Sequence, residues 1–416
     1  MNNKISKKSY ELNPLLNVPI NWRSLEIGNK SICEIIMGQS PPSSSYNSVG
    51  NGQPFLQGKI EFGNIYPSPT IYCSNPIKIA KKNDILVSVR APVGNVNISA
   101  SEVCIGRGLA AIRCNPNVLL YLFLFYYIKF MSKKFESISS GSTFKAIRKN
   151  ELDSFRVLIP PLPEQKKIAE ILSTVDKAID KVEEATEKTQ RLKKGLMQEL
   201  LIKGIGHKEF KETEIGRIPK EWEIKNFEDI SVDFISGGTP STVNKKYWNG
   251  DIAWMTSAHI SGREIINGQR YITKEGLKNS ATNLVPKDNL LVATRVGIGK
   301  AAINRIDVAI SQDLTGIIID KEQAITDFLY WLLINNENKL KSLAQGSTIK
   351  GILREGLGKI KISIPSLPEQ QKIAEILGRV DTRLELLRKR KERLEKIKKG
   401  LMQDLLTGRK RVKLET

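Results

Sequence analysis

The stretch LPEQKKIAEIL runs from Leu162 to Leu172, and LPEQQKIAEIL runs from Leu367 to Leu377. The duplication extends well beyond them. LVSVR (Leu86–Arg90) recurs as LVATR (Leu291–Arg295), GSTFKAI (Gly141–Ile147) as GSTIKGI (Gly346–Ile352), and KKGLMQELL (Lys193–Leu201) as KKGLMQDLL (Lys398–Leu406). Each second copy lies 205 residues after the first: 367 against 162, 291 against 86, 346 against 141, 398 against 193. Nearer the start of each half, VPINW (Val18–Trp22) is answered by IPKEW (Ile218–Trp222), and GQSP (Gly38–Pro41) by GGTP (Gly237–Pro240). Such a chain is two tandem copies of one module, and a period this long excludes a solenoid.

Each module reads in two parts. The first mixes short β-type runs (DILVSV, NLLVAT, LTGIIID) with Gly/Pro/Asn-rich turns, then gives an apolar helical segment at Leu119–Phe130 and Ile325–Leu333. The second part reads as one long helix. In the later copy Ile373, Leu377, Val380, Leu384 and Leu387 recur at spacings of 4, 3, 4 and 3, and Leu394, Ile397 and Leu401 continue the stripe. The earlier copy gives Ile168, Leu172, Val175, Ile179 and Val182, then Leu192 and Leu196. Apolar residues about every 3.5 positions, flanked by Lys, Arg and Glu, mark a coiled coil.

Pro163 and Pro368 suit the first helical position, and Glu164 and Glu369 the first turn, where the macrodipole favours a carboxylate. No Ser, Thr, Asp or Asn cap stands immediately before them, so Pro and Glu alone carry the helix start. Gly204 and Gly408 are the expected stops. Each helix would then span roughly 40 residues, about 60 Å. An exposed apolar stripe needs a partner, and the nearest is its own duplicate. The expected fold class is therefore α+β: two mixed α/β domains at 1–158 and 207–363, each followed by a helical spacer, at 159–206 and 364–416. The spacers would pair as an antiparallel coiled coil with pseudo-two-fold symmetry. Duplex DNA has the same kind of two-fold, so two similar readers can address two half-sites.

The charge balance supports such a partner. Lys+Arg number 65 against 44 Asp+Glu, a net +21 over 416 residues, which favours a polyanion. Nucleic acid is the first candidate, an anionic membrane the second, and a merely well-solvated surface the bland alternative. The N-terminus lacks the apolar core of a signal peptide. The longest apolar run, Val118–Ile128, is shorter than the roughly 20 residues a bilayer needs and reads as a buried helix. Cys33, Cys73, Cys104 and Cys114 form no C-x-x-C pair, and His207 and His259 are the only histidines. That suits a reduced, cytoplasmic protein without a structural zinc site.

These residues resemble the specificity subunits of Type I restriction–modification systems, over essentially the whole chain. The paired LPEQ-KIAEIL, the KKGLMQ-LL near each helix end and the GST-K-I before each helix carry the resemblance. It implies two target-recognition domains and two conserved helical regions forming an antiparallel coiled coil, with no chemistry in this chain. It also implies double-stranded DNA and two modification subunits as partners, the latter transferring methyl groups from S-adenosylmethionine to adenine N6. Restriction subunits using ATP and Mg²⁺ would join them, and no membrane is involved. The chain lacks an Asn/Asp-Pro-Pro-Tyr/Phe methylation motif. RVGIGKA (Arg295–Ala301) fails as a phosphate loop, with Thr294 where the first Gly belongs and Ala301 where Ser or Thr belongs. A Gly-rich turn after a strand is the better reading. The missing motifs count against a fused enzyme with its own nuclease or methylase, and the charge against a non-DNA scaffold.

Specific readout takes Arg or Lys for guanine and Asn or Gln for adenine, while phosphates take Lys, Arg, Ser, Thr and backbone N–H groups. Polar positions present in both copies are the phosphate candidates: Arg90/Arg295, Ser142/Ser347, Thr143/Thr348 and Lys145/Lys350, with Arg148 and Lys300 beside them. Each Ser-Thr pair could equally be a turn or cap. Positions that differ are the base-reading candidates: Arg107 against Gln312, and the loops Ser43–Asn47 and Thr242–Asn249. Tyr46, Tyr247 and Trp248 within those loops read rather as core aromatics. The basic run Arg388–Lys399 reads as a solvated coiled-coil face, with a phosphate track as the alternative.

Overall fold

The structure, a computed structural model, describes residues 12–13, 18–133, 146–344 and 351–414. The chain divides into two compact units. Unit 1 holds the chain up to Glu183 together with the residues from Lys389 onward, and unit 2 holds Glu184–Arg388. Both boundaries fall inside long helices. Each unit therefore owns the first part of one helix and the last part of the other.

In unit 1 the two larger sheets are built from β1 (Cys33–Met37), β2 (Tyr46–Asn47), β3 (Gln53–Leu56), β4 (Ile71–Cys73), β5 (Ile79–Ala80), β6 (Ile85–Ser88), β7 (Val96–Ile98), β8 (Val103–Ile105) and β9 (Leu109–Cys114). They form one sheet of order β7-β6-β9-β1 and another of order β2-β4-β3-β8-β5. Unit 2 contributes β10 (Ser231–Ser236), β11 (Trp248–Met255), β12 (Glu264–Ile265), β13 (Arg270–Ile272), β14 (Asn283–Val285), β15 (Asn289–Ala293), β16 (Ala301–Asn304), β17 (Val308–Ile310) and β18 (Leu314–Ile319). Its sheets run β10-β18-β15-β16-β12 and β13-β11-β17-β14. Apart from β2 and β12, the two lists are one topology twice, down to the single parallel pairing β3·β8 and β11·β17 within the second sheet. Strands β6 and β15 are buried at every residue, which is why DILVSV and NLLVAT run apolar without alternation.

The apolar segments form helices α1 (Tyr121–Phe130) and α3 (Thr326–Asn335), whose buried residues Phe123 to Ile128 and Phe328 to Leu333 fill the two cores. A helix apolar on all sides belongs inside a fold. The long helices are α2 (Leu162–Leu200) and α4 (Leu367–Leu406). They begin one residue earlier than expected, with Pro163 and Pro368 at the second helical position. The amides of Glu164 and Gln165 both donate to Pro161 O (2.9 and 3.0 Å), and those of Glu369 and Gln370 to Ser366 O (3.0 and 2.9 Å). Gly204 and Gly408 stand beyond the helix ends in the left-handed region, at φ +69° and +71°.

Within each unit the helix halves pair antiparallel. In unit 1 Glu183 meets Lys391 at 2.7 Å and Asp176 meets Lys398, so one number rises as the other falls. In unit 2 Lys193 meets Asp381 at 2.5 Å, and the Ile205 amide donates to Glu369 Oε1 at 2.8 Å. Ile168, Leu172, Ile179, Val182, Ile373 and Leu377 are buried as expected, whereas Val175, Val380, Leu384 and Leu387 are half-buried. The extended stripe needs correction. Leu192 and Ile397 are 54% and 52% exposed. Their neighbours Lys193 and Lys398 take the inward positions to reach the partner aspartates, and a helix turns about 100° per residue. The seam thus carries charge at a repeated place. Beside each pair stands an aromatic from the apolar helix. Tyr126 donates its hydroxyl to Asp176 Oδ2 (2.8 Å), and burial with that hydrogen bond pushes the phenol pKa up. In unit 2 the Lys193 ammonium lies 4.8 Å from the Trp331 ring centre.

The Glu-Gln of each LPEQ does more than the macrodipole reading allows. Glu164, 1% exposed, accepts from Trp22 Nε1 (3.2 Å) and from Arg411 through two bonds of 2.5 and 2.6 Å. Glu369 accepts from Trp222 Nε1 (3.2 Å) and the Ile205 amide, and both its oxygens lie within 3.1 Å of His207 Nε2. Gln165 accepts from Leu120 N (2.8 Å) and donates to Val118 O and Pro160 O, tying the start of α1 to the start of α2. Gln370 does the same with Ile325 N, Gln323 O and Pro365 O.

Two outcomes follow from this packing. Unpairing a buried ion pair costs about 3–5 kcal/mol, so Arg411→Ala should speed amide exchange around Pro19–Trp22 and Glu164 while leaving Glu369 and Trp222 protected; equal change in both units, or none, would contradict the latch. The Lys193–Asp381 pair is partly shielded, so reversing either charge alone should cost about 1–3 kcal/mol and lower the thermal midpoint by several degrees. Reversing both should recover most of that loss.

Candidate nucleic-acid interface

Strand β6 carries the chain out of the core at Arg90. Beyond the register that sets Leu109 opposite Ser88, Val89 N donates to Gly108 O (2.9 Å), which brings the Gly106–Gly108 turn and Arg107 alongside Arg90. On its other side Arg90 forms a bridge with Ala146, and Ile147 N donates to Val89 O at 2.8 Å. Arg148 follows two residues later, its amide held by Glu151 Oε2 at 2.7 Å. Arg90, Arg107 and Arg148 are all exposed, and none has an ion pair among the described residues. Separate places in the sequence thus converge as one cationic edge.

Unit 2 rebuilds the same backbone. Thr294 N donates to Asp313 O (2.9 Å) and Ile352 N to Thr294 O (2.8 Å). Arg295 is exposed beside Gly351, where an added Cβ would stand 3.7 Å from Arg295 Cγ. Gln312 takes the place of Arg107. RVGIGKA is the Gly-rich turn read from the sequence: Gly297 and Gly299 adopt φ +72° and +97°, and Lys300 N closes it onto Gly297 O at 3.1 Å. Lys300 is exposed on that turn. The candidates Ser142, Thr143, Lys145, Ser347, Thr348 and Lys350 lie outside the described residues.

The GQSP and GGTP loops pack directly on these turns. Gly38 N donates to Leu109 O (2.8 Å) and Gly238 N to Ile310 O (2.9 Å). A Cβ on Gly38 would stand 2.1 Å from Gly106 O, and one on Gly237 2.2 Å from Ile310 O, so only glycine allows the approach. Ser40 Oγ accepts from Arg107 N at 3.1 Å, and Thr239 Oγ1 donates to Gln312 Oε1 at 2.6 Å. One scaffold therefore presents a guanidinium in one unit and a carboxamide in the other.

The aromatics of the differing loops are largely structural. Tyr46 stacks on buried Phe55 with ring centres 4.6 Å apart, and its hydroxyl donates to Pro41 O. Trp248 is 6% exposed and donates to Ser241 O at 3.0 Å. The Arg270 guanidinium lies 3.6 Å from the Trp248 ring centre, a stack that sequence reasoning missed because nothing local pairs the two residues. In the basic run, Lys391 and Lys398 face acidic partners, while Arg390, Arg393, Lys396 and Lys399 are exposed. Among the described residues, no His, Cys, Asp and Glu side chains gather as a metal site, and no helix is long and apolar enough to cross a membrane.

Comparison with known proteins gives this duplicated edge a context. A relative from Methanocaldococcus jannaschii described as the MjaX type I restriction enzyme specificity subunit is 47% identical over 194 residues, covering 47% of this chain and 46% of that one. The MjaVIII specificity subunit of the same organism is 29% identical over 414 residues, 96% of this chain and 95% of its own. Among solved structures, the S subunit of a Type I restriction–modification system from M. genitalium shares the fold, with a TM-score of 0.64 at 17% identity, over 95% of this chain and 97% of that chain. The family model for the Type I restriction modification DNA specificity domain matches residues 19–192 and again residues 219–396, so the chain belongs to that family and carries its domain twice.

Proposed function

We propose that this chain is the DNA-recognition subunit of a Type I restriction–modification complex and that it reads a bipartite, asymmetric target, one half-site per domain copy. The observation that carries the reading is the repeated family domain, in which Arg90 and Arg295 leave equivalent strands beside Arg107 and Gln312 respectively. Target recognition is assigned to residues 1–158 and 207–363, and the helical spacers to 159–206 and 364–416. Arg90, Arg148, Arg295 and Lys300, with Ser142, Thr143, Lys145, Ser347, Thr348 and Lys350, hold phosphates, while Arg107 and Gln312 face bases.

The chemistry belongs to the partners. Two modification subunits using S-adenosylmethionine would be positioned on the target adenines, and restriction subunits using ATP and Mg²⁺ would join them, all in the cytoplasm. The relatives' designation as specificity subunits supports this. A net charge of +21 supplies the long-range attraction to DNA.

Two measurements test the reading. Binding to duplex DNA should weaken steeply with salt, since each neutralised phosphate releases condensed counterion. Arg90→Ala and Arg295→Ala should each lower affinity for every sequence and flatten the slope of log K against log salt by about one; an unchanged slope removes them from the phosphate contacts. Exchanging residues 1 to about 155 for the matching region of a relative should change one half-site alone, scored by mapping methylated adenines in cells that also express the modification subunit. A change in both half-sites, or in neither, would overturn the assignment of one half-site to each copy.

A further inference from the structure

Among the described large apolar side chains, Val243, Ile60 and Val49 are the most exposed, at 90%, 88% and 86%. Two of the three lie in the stretches that follow GQSP and GGTP: Val49 between β2 and β3, and Val243 between β10 and β11. The sequence around them differs, SSSYNSVGNGQ against TVNKKYWN, yet each loop sets an aliphatic side chain into solvent.

Hydrogen bonds brace the backbone on either side of both valines. In unit 1 the Asn47 carboxamide spans the loop, accepting from Asn51 N (2.9 Å) and donating to Asn51 O (2.8 Å), with Val49 midway and Gly50 at φ +86° supplying the turn. The preceding residue, Tyr46, is pinned by its stack on Phe55. In unit 2 the residues near Val243 are fixed instead: Ser241 O accepts from Trp248 Nε1 (3.0 Å), and Asn244 Oδ1 accepts from Lys246 N (3.1 Å). Branching at Cβ restricts the χ1 of valine, so it gives up little freedom when covered. Both loops continue from the GQSP and GGTP segments, which are docked on the turns bearing Arg107 and Gln312. The valines are thus tied to the candidate DNA edge.

On the major-groove edges of the base pairs the apolar group is the C5 methyl of thymine. We propose that Val49 and Val243 each contact the C5 methyl of a thymine in the half-site of their own unit, and so select thymine over cytosine there. Exposed Lys245 and Lys246 beside Val243, and Ser48 beside Val49, are the flanking phosphate donors. The proposal rests on the reading that each unit recognises one half-site of duplex DNA.

The test separates the two claims. The full chain, co-purified with its modification subunit, is used to select sequences from a random duplex library. Each thymine of the selected duplex is then replaced by deoxyuridine, which removes the C5 methyl and keeps the pairing. One replacement in each half-site should weaken binding about threefold to fivefold, the scale of one buried methyl. Val49→Ala should abolish that sensitivity in one half-site and Val243→Ala in the other, while Val→Ile at either place preserves it. Both positions are exposed, so an unchanged thermal midpoint is expected in every variant. A selected half-site without thymine, deoxyuridine replacements without effect, or sensitivity that survives both alanine variants would overturn the proposal while leaving DNA recognition intact. Failure of the wild type to select any common sequence would sink the recognition reading, and the proposal with it.

Discussion

A carboxylate at the third residue of each long helix, buried at Glu164 and largely shielded at Glu369, organises both units. Glu164 and Glu369 are drawn out of water at a helix start, and a carboxylate there is tolerated only when several donors converge on it. The donors come from far along the chain: an indole near the beginning of the module, and Arg411 or His207 from beyond the end of the opposite helix. The adjacent glutamine ties in the apolar helix. Separate segments of the chain meet at each Glu-Gln pair. This is why the eleven residues recur almost unchanged. The single difference, Lys166 against Gln371, falls at a position exposed in both copies, whereas Ile168, Ala169 and Leu172 and their counterparts are buried.

The two latches close differently. In unit 2 the chain runs from Gly204 through His207 to Trp222, so the donors reach Glu369 on a continuous segment. In unit 1 the matching donors come from opposite ends of the chain, Trp22 and Arg411, and the carboxylate itself joins them. A bidentate guanidinium suits that task, since it binds through geometry as well as charge. The glycine before each closure needs both its left-handed backbone and its missing side chain: a Cβ on Gly204 would stand 2.5 Å from Glu369 Oε1, and one on Gly408 2.4 Å from Pro19 Cδ.

Much of this was legible in the sequence because duplication repeats every signal. The constant offset marked the modules, the apolar runs marked β6, β15, α1 and α3, and the heptad pattern marked α2 and α4. What escaped were features made by tertiary contact. Leu192 and Ile397 fit the heptad yet face outward, because the neighbouring lysines reach aspartates on the opposite helix that no local pattern reveals. Glu164 and Glu369 carried a helix-start signal that concealed their role as latches. The convergence of Arg90, Arg107 and Arg148 depends on strand register and on the bridge to Ala146, and a linear reading contains neither. The duplicated arginine was found because its counterpart stood at the expected offset. The exposed valines were not, since exposure belongs to the fold and not to the residue.

Under the proposed function, recognition resides in the two domain copies and the helical spacers set the gap between half-sites. Inserting seven residues into α2 near Thr186 tests this most directly, since about two turns roughly preserve the apolar stripe. The target of the altered chain is mapped through methylated adenines in cells expressing the modification subunit. The account predicts a changed spacer between two unchanged half-site sequences. An altered half-site sequence, or an unaltered spacer in an active complex, would contradict it.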